Sequence, residues 1–263
     1  MKYQDQLKRT LEFENTPTRI VSLVPSQTEL LVDLGLESLI VGVTKFCIHP
    51  ASLRKNKTVV GGTKQVHFDK IKNLNPDIIL CNKEENTKEM ILELEKIASV
   101  HISDIYNLDD ALKLIDLYGK LFSVEKKSEA LVSSLENKYK DFRHYIKDQE
   151  KLKVAYFIWK NPWMVAANTT FIDAMLRLNS FDNYFGNLER YPEVDLNTIK
   201  EDLDVILLSS EPYPFKSADI KELRSRFLRT KIVLVDGEFF SWYGSRLDYA
   251  FAYFKTLHQD LSD

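Results

Sequence analysis

Glycine is scarce in this chain: 8 of 263 residues, against a usual share of roughly 7%. No three glycines make G-x-G-x-x-G, and no pair makes G-x-x-x-x-G-K-[ST]. Dinucleotide fingerprints and P-loops need such glycines so that backbone N–H groups can approach phosphates closely. A nucleotide enzyme of either kind is therefore disfavoured. Only Cys47 and Cys81 are present, too few for a disulfide scaffold. No run approaches the roughly 18 apolar residues of a membrane span. There are 36 Lys and Arg against 39 Asp and Glu, a net charge of −3, whereas a broad nucleic-acid surface favours a basic balance. G-x-S-x-G and the kinase motifs are absent, and Ser22 and Ser26 lack an identifiable base. The N-terminus, Met1 to Arg9, is polar, with no apolar h-region and no small-residue cleavage site. The expected location is cytoplasmic if Met1 is the native start, and periplasm or cell envelope if a leader has been removed.

What is present is a regular alternation. Arg19–Val24 reads as a short buried strand. Ser26 with Glu29 three residues later reads as a capping box opening a helix that Gly35 ends. Strands follow at 39–43, 76–81 and 100–103, with helices at 68–74 and 87–98 between them. Residues 109–150 contain neither Pro nor Gly except Gly119, which predicts helices over 109–121 and 125–147, the second capped by Ser123 and about 35 Å long. It reads either as a long amphipathic surface helix or as a rigid spine joining two lobes. The pattern then restarts: strands at 153–159, 204–209 and 231–236, helices at 170–178, 196–202, 218–228 and 245–258. Strands alternating with helices imply crossovers and a largely parallel sheet. An internal echo reinforces the restart. Ile71 to Leu80 and Ile199 to Leu207 each run a short helix into a buried strand that begins at an aspartate, Asp77 and Asp204.

Ligands of parallel α/β sheets bind outside the carboxyl ends of the strands. The segments there are rich in aromatics and short of nucleophile–base pairs. Such rings suit a broad, flat or apolar ligand, and at least two of Trp159, Trp163, Tyr191, Phe240 and Trp242 are expected to face it. His49, His67, Asp236 and Glu238, with Glu211, are the candidates for an N/O metal site, although none shows ligand spacing. Cys47 and Cys81 read as small buried thiols. His101 reads as structural, His144 and His258 as solvated. Glu84 and Glu85 read as the start of the following helix or as a docking surface. Arg246 either holds an anionic ligand group or pairs with Asp236 or Glu238.

Several segments together resemble the helical-backbone metal receptor family, a class III periplasmic-binding-protein-like group. It includes the cobalamin-binding and iron–siderophore-binding components of ABC importers. They are Arg19 through Leu31 (R-I-V-S-L-V-P-S-Q-T-E-L-L), Val41 through Pro50, Val60-Gly-Gly-Thr-Lys64, Leu74 through Leu80, Asn82 through Asn86, Ile158 through Trp163, Arg190 through Val194, Ser210 through Phe215, and Asp236-Gly with Ser241 through Arg246. The resemblance covers about residues 19 to 258. It implies two Rossmann-like α/β lobes with mostly parallel sheets, at 1–122 and 151–263, joined by one long backbone helix within 123–150. It implies a corrinoid or metal-chelate ligand in the cleft between them, with no catalytic residues and no covalent cofactor. The matching segments place Phe46, His49, Trp159, Trp163, Tyr191 and Trp242 near that cleft. The resemblance further implies a permease partner, met through acidic residues: Glu84, Glu85 or Glu89 in the first lobe, and Glu193 or Glu211 in the second. The alternative reading is a cytosolic metal-dependent enzyme or metal chaperone using His49, His67, Asp236 and Glu238.

Overall fold

A computed structural model describes residues 1–200 and 202–262. The chain opens on an antiparallel hairpin, β1 (Lys2–Gln4) and β2 (Thr10–Glu12). A parallel sheet follows: β3 (Ile20–Ser22), β4 (Ile40–Val43), β5 (Thr58–Val59), β6 (Ile78–Asn82) and β7 (Ser99–Ser103), in the order β5-β4-β3-β6-β7. The central strands β3 and β6 are buried along their whole length, as expected for a sheet covered on both faces. The polar hairpin has a definite task. Asp5 is 4% exposed, and its carboxylate accepts N–H groups from Leu7 and Arg9 at 2.9 Å and from Ile102 of β7 at 3.2 Å. The hairpin thus sits on edge strand β7, which would otherwise offer open backbone groups for pairing.

Four helices accompany this sheet: α1 (Pro25–Asp33), α2 (Leu53–Asn56), α3 (Phe68–Asn73) and α4 (Lys88–Leu94). The expected capping box of α1 is not formed. The N-cap is Val24 with proline at the first helical position, where its missing N–H costs nothing, and no side chain caps it. Gly35, at φ +79°, ends the helix in the left-handed region, a C-terminal position that glycine occupies without strain. α5 (Leu108–Leu121) and α6 (Glu125–Ile146) follow. Ser123 does not cap α6. It takes φ +57° between the two helices, and its hydroxyl meets Thr16 Oγ1 at 3.1 Å.

The second sheet contains β8 (Lys153–Trp159), β9 (Met164–Val165), β10 (Asp182–Asn183), β11 (Val205–Ser209) and β12 (Lys231–Val235). Its parallel order is β10-β8-β11-β12, with β9 antiparallel on β8. Its helices are α7 (Phe171–Leu178), α8 (Ser217–Arg224), α9 (Glu238–Ser241) and α10 (Leu247–Ser262). Of the helix expected at 196–202, a single 3-10 turn forms at Leu196–Thr198; position 201 lies outside the described residues. His258, expected to be solvated, is 3% exposed and stacks on Phe181 at 4.7 Å.

The chain divides into two compact units. The first comprises Met1–Ile105, Asp109–Leu135 and Tyr243–Arg246; the second comprises Tyr106–Leu108, Glu136–Trp242 and Leu247 onward. α6 contributes its first half to one unit and its second half to the other. The aspartate echo has a structural meaning in each. Asp77 Oδ2 accepts the backbone N–H of Thr18 at 2.7 Å and of Arg19 at 2.9 Å, at the entry of β3. Asp204 Oδ2 accepts the N–H of Lys153 at 2.7 Å, at the entry of β8. Each carboxylate clamps the start of the neighbouring strand.

Candidate functional site

Strand order locates the sites before any side chain is considered. In the first sheet the chain runs outward from β3 through β4 to β5, then resumes on the other side at β6. In the second it runs from β8 to β10, then resumes at β11. The carboxyl ends of β3 and β6, and of β8 and β11, are therefore the topological switch points where an open α/β sheet leaves a crevice.

At the first switch point the groups are polar, and several of them are joined in one hydrogen-bond network. Gln27 is fully buried. Its Nε2 donates to Ser103 Oγ at 2.6 Å and to Tyr243 Oη at 3.1 Å, while Tyr118 donates to its Oε1 at 2.6 Å. Asn82 Nδ2 donates to Ser103 Oγ at 3.0 Å. Burial pushes the phenols of Tyr118 and Tyr243 well above their usual range. This network pins the segment Tyr243–Arg246 to the first unit, and Gly244 at φ +105° lets it turn in a conformation that other residues reach only with strain. Arg246 pairs with Glu29, not with Asp236 or Glu238: Nη2 lies 2.6 Å from Oε1 and Nε 2.9 Å from Oε2.

Beside this network the loop after β4 exposes apolar groups. Phe46 is 48% exposed, with Lys45 Nζ 5.0 Å from its ring centroid. His49 is half-buried and His67 exposed. Cys47 and Cys81 are buried free thiols, and burial raises both thiol pKa values. Glu84 and Glu85 do not begin α4. Their backbone N–H groups donate to Asn82 Oδ1 at 2.8 and 3.1 Å, and α4 starts later, capped by Thr87. Glu89 is exposed on its first turn.

At the second switch point the groups are aromatic. Trp159, the last residue of β8, is 39% exposed and meets Tyr213 edge-on at 5.7 Å. Trp163 is half-buried, stacks on Phe215 at 5.9 Å and 9°, and meets Phe157 edge-on at 5.5 Å. Lys160 Nζ lies 5.4 Å from the Trp163 centroid and is held by Asp219 at 2.8 Å and Glu222 at 2.6 Å. Those carboxylates keep its ammonium well above the usual range. Tyr191 is half-buried, with the Arg190 guanidinium 5.6 Å from its ring centroid. Tyr213 and Arg190 were not singled out from the sequence. For Tyr213 a signal exists: it is the central residue of Pro212-Tyr-Pro214, in the loop directly after β11.

Other expected residues are placed differently. Phe240 is fully buried, and Trp242 is 7% exposed, its indole N–H donated to Glu211 Oε1 at 2.9 Å. Glu211 also accepts from Ser241 at 2.5 Å, and burial pushes its carboxyl up. It is an internal acceptor rather than a surface docking residue. Glu193 is exposed. Asp236 Oδ1 accepts the N–H of Glu238 at 3.0 Å. Among the described residues no group of three or more His, Cys, Asp or Glu side chains could hold a metal ion. Of the residues of the metal-enzyme alternative, His49 and His67 belong to the first unit and Asp236 and Glu238 to the second.

The periplasmic binding protein family model matches residues 20–233. The chain is 22% identical over 242 residues to a vitamin B12-binding protein of Pectobacterium carotovorum, covering 88% of this chain and 84% of that protein. It is 29% identical over 185 residues to an uncharacterized ABC transporter substrate-binding lipoprotein of Bacillus subtilis. That match covers 66% of this chain and 57% of the Bacillus protein, so the chain spans little more than half the relative's length. Among solved structures, the periplasmic vitamin B12 binding protein of Vibrio cholerae has a TM-score of 0.81 at 17% identity, covering 94% of this chain and 99% of that one. A possible iron-binding periplasmic protein of Staphylococcus epidermidis has a TM-score of 0.79 at 23% identity, with coverages of 95% and 100%. At such identities these structures speak for the fold.

Proposed function

The chain belongs to the periplasmic binding protein family, and on that premise we propose that it is a non-enzymatic substrate-binding protein. Its cargo is a corrinoid or another metal chelate, which it delivers to an ABC permease. The observation that carries this reading is Trp159. It is a large ring at a topological switch point, more than a third exposed and braced by Tyr213. A rigid exposed ring contacts a flat ligand by stacking and area burial while losing little conformational entropy.

The residues offered to the ligand are Phe46 and His49 on the first unit, and Trp159, Trp163 and Tyr191 on the second. Trp242 and Arg246 serve one step back, fixing Glu211 and Glu29. The relatives named for vitamin B12 and iron support this ligand class. Exposed Glu89 is the strongest of the acidic candidates for meeting the permease, because Glu84 and Glu85 lie in a turn that Asn82 already organises. The place of action is the cell envelope, consistent with the relatives' names. No described helix is long and apolar enough to cross a membrane.

Titration calorimetry with cyanocobalamin, haemin and a panel of ferric chelates tests the reading, alongside the visible spectrum of protein purified from its own cells. One of these compounds is expected to bind with a single-site isotherm. Absence of heat and of any thermal shift with all of them overturns the proposal.

A further inference from the structure

The second half of α6 carries a feature that ligand capture does not use. Lys140, Arg143 and His144 sit at i, i+3 and i+4, a spacing that sets them on one helix face, and Lys147 follows at i+7 in the turn just past Ile146, so the four span about 10 Å. All four are exposed. With Tyr139, Tyr145 and Lys255 of α10 they line a groove of about 860 Å³, in which Asp141 is the single carboxylate. Two of the cations are seated on rings: the Arg143 guanidinium lies 5.8 Å from the Tyr139 centroid and Lys255 Nζ 5.6 Å from that of Tyr145. Lys140, Arg143, Lys147 and Lys255 form no ion pair among the described residues. Other cations of the same unit are paired with carboxylates, as at Lys153–Asp202, Lys160–Asp219 and Arg177–Asp173.

We propose that this groove docks the protein on a bilayer surface of anionic phospholipid. The charge is complementary to a plane of phosphodiesters and opposite in sign to the chain's net −3. Each Lys or Arg near such a surface is attracted by about 1 kcal/mol at moderate salt. The two half-buried tyrosines support the cations from beneath: Tyr139 packs on Phe251, and Tyr145 donates its hydroxyl to the Lys255 carbonyl at 3.4 Å, which holds the basic groups at the rim of the groove. The groove walls carry no aliphatic anchor of the kind that a helical or extended peptide partner needs. Docking of this kind keeps a carrier close to the bilayer and weakens with salt as the Debye length shortens.

The test is co-sedimentation of the full chain with large vesicles, either of pure phosphatidylcholine or with one third phosphatidylglycerol, at low and high salt. Wild-type protein is expected to sediment only with the anionic vesicles and to be released by salt. The double variant Arg143→Glu/Lys147→Glu is expected to lose binding by at least 25-fold, since each neutralised cation alone removes about fivefold. The charge-matched control Lys70→Glu/Lys72→Glu, on exposed positions of α3 in the other unit, is expected to retain it. Circular dichroism confirms that each variant is folded. No binding of wild-type protein to anionic vesicles, equal binding to both compositions, or equal loss in the two double variants each overturns the proposal.

Discussion

Arg246 and Glu29 form a two-point ion pair across 217 residues of sequence, with side chains only 12% and 13% exposed. Burial pushes the Glu29 carboxyl above its usual range, and the Arg246 guanidinium pulls it part of the way back. Removing Arg246 leaves a carboxylate with most of its desolvation cost and little compensation. Arg246→Ala is expected to destabilise the fold by about 3 kcal/mol at neutral pH. A carboxyl with a raised folded pKa binds its proton more tightly in the folded state, so stability falls as pH rises through that range. Without Arg246 the carboxyl moves further up. The deficit of the variant, measured by urea denaturation, is therefore expected to be smallest near pH 4 and to grow toward pH 7. A uniform deficit at all pH values contradicts this account.

His101 gives the opposite slope. It is fully buried in β7, against the edge of Tyr118 at 5.3 Å, and neither ring nitrogen has a hydrogen-bond partner among the described residues. Burial lowers its pKa to about 4. A histidine with a depressed folded pKa contributes fully above its unfolded value of about 6.5 and loses that contribution as pH falls toward 4. Between pH 7 and 4.5 this amounts to about 2 kcal/mol. His258, also lowered to about 4 by burial, acts in the same direction. His101→Leu is expected to flatten the acid limb of the stability profile. An unchanged slope would assign acid sensitivity to other groups.

Much of this fold is legible in the sequence because its strands are buried on both faces. Ile78–Cys81 and Val205–Leu208 are continuous apolar runs within the strands expected at 76–81 and 204–209, and they are buried along their length. The long helix is legible from the lack of breakers. The hairpin β1–β2 is not, because its role rests on the Asp5 carboxylate meeting Ile102, a partner 97 residues away. The Ser26–Glu29 capping signal is overridden by tertiary pairing, since Glu29 is engaged by Arg246. The burial of His258 was readable: Leu247, Ala250, Phe251, Phe254 and Leu257 define an apolar stripe, and position 258 continues it. At the site, the placement of aromatics after strands is legible, but their division of labour is not. Whether a tryptophan faces solvent, as Trp159 does, or spends its N–H on the half-buried Glu211, as Trp242 does, depends on neighbours brought from other loops.

The paired aspartates make a direct test of the internal echo. Asp77 and Asp204 each accept backbone N–H groups at the entry of a neighbouring strand. Asp77 also accepts the Thr18 hydroxyl at 3.1 Å, and these donors hold its carboxyl below the usual range. Hydrogen bonds to a charged acceptor contribute about 1.5–3 kcal/mol. Asp77→Ala is expected to cost about 2 kcal/mol and Asp204→Ala somewhat less, because fewer donors converge there. Amide exchange should rise most at residues 18–20 in the first variant and at 153–154 in the second. Exchange spread evenly over either unit would show that the clamps are not local.

Trp159 and Trp163 stand four residues apart and are expected to fail differently. Trp163 is enclosed by Phe157, Phe215 and Lys160, so Trp163→Ala removes packing and is expected to cost about 3 kcal/mol of stability. Trp159 presents its ring to solvent and leans edge-on against Tyr213. Trp159→Ala is expected to change stability by less than about 1 kcal/mol while weakening ligand binding at least tenfold, as loss of a central aromatic anchor does. Denaturation and calorimetry on the two variants separate these effects. If Trp159→Ala binds the ligand as wild type does, the exposed ring is not the contact surface, and the site must be sought on the loop that carries Phe46.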